Sequence, residues 1–122
     1  MAINITGGNR TIRSLTKSLV EYCADKLKLN DTILLDIEFS RTLYKEDGIL
    51  GEVDFDDNNH RPKEFTMTVD STVSRRRIME TIAHEMVHVK QNLKFGTTAE
   101  GPAYDLEYEL YSSWKDVYEP TR

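Results

Sequence analysis

Between Ser74 and Phe95 the apolar residues Ile78, Ile82, Met86, Val89 and Leu93 recur at steps of three and four. That period belongs to an α-helix with one apolar stripe, and a stripe of that length has to be laid against something. The preceding segments supply the surface. In "TILLDIEFS" (32–40) Ile33, Leu35, Ile37 and Phe39 alternate with Leu34, Asp36 and Glu38, which reads as a strand. "ILGEVDFDD" (49–57) and "EFTMTVD" (64–70) read as two further short strands, separated by the turn-rich "DDNNHRPK". The expected base is therefore a small, mainly antiparallel three-stranded sheet.

Two more helices complete the outline. Residues 11–29 place Ile12, Leu15, Leu19, Cys23 and Leu27 on one stripe, with Thr11 as a candidate cap. Gly96 is placed to end the Ser74–Phe95 helix, and Pro102 suits the first turn of a last helix running to about Tyr118. The element order predicts an α+β fold, and 122 residues make one domain over 1–122. With 30% charged and 39% hydrophobic residues the composition is that of a globular chain rather than a disordered one. A net charge of -5 argues against binding nucleic acid or anionic membrane with the whole surface. No apolar run approaches the ~20 residues of a membrane span, and "MAINITGGNRTIRS" lacks the apolar stretch of a secretory signal. Cys23 is the sole cysteine and is expected in the core, so the chain is expected in the cytoplasm, without an internal disulfide.

The chemistry is concentrated in "TIAHEMVHVKQ" (81–91). At about 100° per residue, His84 and His88 lie about 40° apart on neighbouring turns, so both imidazoles can reach one ion. The apolar stripe falls on another side of the same helix. Glu85 lies between the two faces, placed to meet a water on the ion. His-Glu-x-x-His on a helix is the zinc signature of metallopeptidases: Zn²⁺ acidifies water and polarises a carbonyl, and the glutamate moves the proton. A solvated helix face carrying two histidines is the plainer alternative.

After a short meander and before a downstream helix, "TIAHEMVHVKQ" resembles the small zincin-like metallopeptidases: SprT-like proteins, compact phage-encoded relatives and minigluzincins. The likeness covers roughly residues 32–118, with the motif helix its one specific part. It implies peptide-bond hydrolysis of a protein or peptide substrate, and an edge strand that pairs with extended substrate. A third zinc ligand from the lower helix is also implied. SprT-type domains use a third histidine downstream, whereas no histidine follows His88 here. If the chain is phage-encoded, the compartment implied is the host cytoplasm.

That departure turns attention to the downstream acids. On the last helix Leu106, Leu110, Trp114 and Val117, with Tyr104, Tyr111 and Tyr118, define a broad face expected to be buried, and Glu107 falls inside it. Asp105, Glu109, Ser112 and Asp116 project from the other side. A carboxylate among apolar residues asks for a cation, so Glu107 is the first candidate for the third ligand. Glu109 is the alternative, ahead of the other acids or no third ligand at all; "EYEL" resembles the Glu-x-Glu-Ala segment of the compact phage relatives, a pattern that leaves open which glutamate binds. A salt bridge from Glu107 to Lys90 or Arg77 is the structural reading. Tyr111, one turn beyond Glu107, is a candidate hydrogen-bond donor to a tetrahedral oxyanion as well as a candidate core residue.

Arg75, Arg76 and Arg77 open the motif helix, where positive charge opposes the macrodipole. They read as a solvated cluster, or as a local contact for nucleic acid in a SprT-like, DNA-associated protease. His60 reads as a surface residue. "DFDDNN" has oxygen ligands but not the Gly and distal Glu of a calcium loop. Beside the metallopeptidase stands a second class of function, a non-catalytic binding module such as a phage assembly or host-interaction factor.

Overall fold

Ile33, Leu35 and Ile37, the alternating residues of the first expected strand, are almost wholly buried, and their burial decides which side of the sheet carries the helices. The computed structural model describes residues 1–29, 33–55, 64–95 and 100–118. Its elements are β1 (Ala2–Thr6), α1 (Arg10–Lys26), β2 (Leu34–Ser40), α2 (Leu43–Asp47), β3 (Gly51–Phe55), β4 (Glu64–Asp70), α3 (Arg75–Phe95) and α4 (Glu100–Tyr118). The fold is α+β, as expected. Gly96, His60 and most of "DFDDNN" lie outside the described residues.

The sheet differs from the expected antiparallel meander. It has four strands in the order β1-β2-β4-β3, with β1 parallel to β2, β2 parallel to β4, and β3 antiparallel to β4. The reason is connectivity: α1 carries the chain back across the sheet between β1 and β2, which makes those neighbours parallel. Similarly, α2 and β3 intervene between β2 and β4. β1 escaped the sequence reading because it is a five-residue edge strand whose apolar Ile3 and Ile5 are only partly buried. The cross-strand register aligns Leu35 with Phe65 and Ile37 with Met67, all buried. The opposite face carries the polar row Asn4, Asp36, Thr66 and Asp54, with Asn4 Nδ2 donating to Asp36 Oδ1 at 3.0 Å.

Local signals account for three of the described helix ends. Asn9, not Thr11, caps α1: its side chain accepts from the Ile12 amide at 2.8 Å. Ser74 accepts from the Arg77 amide at 3.3 Å and starts α3. The short helix α2 is stopped by left-handed Gly48 (φ 71°) and started by a residue from another strand. The buried Asp70, at the end of β4, accepts from the Tyr44 amide and from the amide and hydroxyl of Thr72. Burial pushes its carboxyl up, but these hydrogen bonds hold it below the ordinary carboxylate range.

α3 is the centre of the molecule. It lies against β3 and β4, is flanked by α1, and carries α4 along it. Ile78, Met79, Ile82, Ala83, Met86, Val87 and Val89 are all at most 2% exposed, so the helix is enclosed on more sides than one stripe predicts. Burial of each of these side chains other than Ala83 contributes about 1.5–3 kcal/mol. α4 is tied to α1 by Trp114 Nε1, which donates to Ser18 Oγ at 3.0 Å. Among the described side chains its buried face is Ala103, Leu110, Tyr111 and Trp114, while Leu106, Val117 and Tyr118, expected on that face, are exposed; the side chain of Tyr104 lies outside the described residues. No described helix is long and apolar enough to cross a membrane.

Candidate metal centre

Enclosing α3 also encloses its polar residues: Thr81, His84, Glu85, His88, Gln91 and Asn92 are each at most 9% exposed. Buried polar groups are costly without partners, so their contacts define what the site can do. His84 and His88 sit on adjacent turns with ring centroids 4.7 Å apart and planes nearly perpendicular (85°). Their Nε2 atoms face each other at 3.1 Å. On the outer side, His84 Nδ1 meets Glu107 Oε1 at 3.1 Å and His88 Nδ1 meets Gln91 Oε1 at 2.9 Å.

This arrangement assigns the protons. A carboxylate and an amide oxygen accept hydrogen bonds, so each Nδ1 is the donor. In the neutral rings both Nε2 atoms then present lone pairs to one another. Such a contact is repulsive unless a cation, either a metal or a second proton on one ring, stands between them. Two zinc–nitrogen bonds of about 2.0–2.1 Å at a tetrahedral angle set their nitrogens roughly 3.3–3.4 Å apart, close to the observed separation. Glu85 joins this pair: ligand atoms of His84, Glu85 and His88 all lie within 4.8 Å of one another. Two imidazoles beside a carboxylate are a donor set that suits Zn²⁺.

The group opens on a cleft of about 540 Å³ walled by α3, by β3 with the turn before it, and by Glu107 from α4. Gly51 makes this proximity possible. A Cβ there would stand 2.5 Å from Thr81 Cγ2 and 3.5 Å from Glu85 Cγ, so only glycine lets α3 approach the strand this closely. Gly51→Ala is expected to destabilise the fold by about 1–3 kcal/mol through overpacking, and Thr81→Ser, which removes the opposing methyl group, to recover most of it. Urea unfolding of the two single variants and the double variant checks this. Additive losses would place the strain elsewhere.

The placement of the residues singled out in the sequence is uneven. His84, Glu85 and His88 come together. Glu107 also comes to the site, but against His84 Nδ1 and outside the cluster formed by the other three, so its place is behind the imidazole rather than beside the Nε2 pair. Burial pushes the Glu107 carboxyl above its ordinary range, against the opposing hydrogen bond and charge of His84. Glu109 is exposed. Tyr111 is buried with its ring 6.2 Å from Trp114 and is not among the residues that line the cleft. Arg76 and Arg77 both reach Glu80, at 3.5 and 3.8 Å, and Arg77 lines the cleft.

Gln91 and Gly51 went unremarked in the sequence. The first had a usable signal, an amide three residues after His88 and hence on its face; the second was a glycine at the start of a strand. In comparisons with known proteins no family model, no curated protein and no solved structure matches the chain.

Proposed function

We propose that this chain is a zinc-dependent metallopeptidase, with the ion held through Nε2 of His84 and His88 and Glu85 as the proton-transfer residue. The observation that carries the reading is the facing Nε2 pair at 3.1 Å, with each Nδ1 already engaged by an acceptor. Bound zinc would acidify a water molecule and polarise a peptide carbonyl. Glu85, inside the same cluster, is in position to take the proton from that water and return it to the leaving amine. Glu107 keeps the proton on His84 Nδ1 and orients the ring, the part a carboxylate plays behind a metal-bound histidine.

A peptide substrate is favoured by the cleft wall. β3 is the end strand of the described sheet, paired only with β4 there, and Gly51, Glu52 and Val53 line the cleft beside the histidines. An extended chain can add to such an edge by main-chain hydrogen bonds. The test is hydrolysis of an unfolded protein or of a quenched-fluorescence peptide library. Activity that disappears with a chelator and returns with zinc supports the proposal. Zinc bound without hydrolysis of any peptide would instead favour a binding module on the same scaffold.

A further inference from the structure

We infer that Gln91 is a positioning residue: its side-chain carbonyl locks His88 as the Nδ1–H tautomer and so aims the Nε2 lone pair of His88 at His84. Its consequence for metal binding rests on the zinc reading above, but the tautomer itself does not.

The inference starts from helix geometry. Gln91 follows His88 by three residues, so both project from one face of α3, and burial gives the amide few other orientations. Gln91 Oε1 stands 2.9 Å from His88 Nδ1, and an amide oxygen is only an acceptor. The proton of the neutral ring therefore belongs on Nδ1. If it sat on Nε2, the Gln91 amide would have to turn over and present its NH₂ to the bare Nδ1 in place of the carbonyl that stands there. The backbone on this turn is held as well, because Asn92 Nδ2 donates to the His88 carbonyl at 2.9 Å.

The other imidazole is set differently. His84 takes its outer acceptor from α4, a separate element, through Glu107. His88 takes its own from the same helix, three residues on. A neutral amide serves where a second carboxylate would add another buried negative charge close to Glu85 and Glu107.

Two readouts test this. In the metal-free protein, ¹⁵N NMR of the histidine rings at a pH where they are neutral should give Nδ1–H for His88, and Gln91→Leu, which removes the acceptor at similar volume, should shift it toward Nε2–H. In zinc competition against a chromophoric chelator, Gln91→Leu should weaken binding about 10- to 100-fold, the usual effect of losing an outer partner of a metal-bound histidine. Gln91→Glu, also an acceptor, should keep the Nδ1–H tautomer and zinc binding, with a lower metal-free stability from its added buried charge. Thermal unfolding of each metal-free variant separates a general loss of fold from the local effect. An Nε2–H tautomer of His88 in the wild type, or a folded Gln91→Leu variant with unchanged tautomer and zinc affinity, would overturn the inference. A wild-type protein that binds no zinc would remove the metal reading alone, and the tautomer measurement would still decide the role of Gln91.

Discussion

Replacing Glu85 with Gln should lower peptide hydrolysis by about 10²–10⁴-fold while zinc content stays that of the wild type. Glutamine matches the shape of glutamate and cannot take the proton. The measurement is kcat on a fluorogenic peptide alongside elemental analysis of the same preparation. Each alternative leaves its own mark. Loss of zinc along with activity would make Glu85 a ligand, in keeping with its place among the clustered donor atoms. Unchanged kcat would remove Glu85 from the chemistry.

Glu107→Ala separates two roles by magnitude. With its Oε1 on His84 Nδ1, the carboxylate acts behind the ring, and its removal should weaken zinc by about 10- to 100-fold without abolishing binding. An inner ligand would leave far more damage, because only His84 and His88 would then remain to hold the ion. Glu107→Gln keeps an acceptor and should fall between wild type and Ala. Zinc titrations of the three proteins decide the matter. Complete loss of binding in Glu107→Ala at ordinary stability would assign Glu107 the ligand role expected from the sequence.

How far the chain could be read in advance depended on the range of the interactions involved. Helical and strand periods are local, and they placed α1, β2, β4, α3 and α4 to within a few residues. Strand pairing is not local. Nothing in "EFTMTVD" tells whether its neighbour runs parallel, and β1 was invisible as a strand until its partner β2 gave Ile3 and Ile5 something to cover. The site divides along the same line. His84, Glu85 and His88 share one helix, so their convergence follows from a rotation of about 100° per residue. Glu107 comes from another element, and helix faces alone brought it to the right region. Which nitrogen it meets depends on the docking of α4, which no periodicity encodes. Gln91 was legible in principle, as a polar residue three positions after His88. Its meaning appeared only with the enclosure of α3, because an amide on a solvated face has no need to choose one partner.

The direct measurement is metal content. Protein purified without added metal, then titrated with zinc against a competing chelator, should bind one equivalent. His84→Ala and His88→Ala should each abolish that binding while the metal-free proteins remain folded. Binding that survives loss of either histidine, or a folded wild-type protein that takes up no zinc, would contradict a metal centre at the facing Nε2 pair.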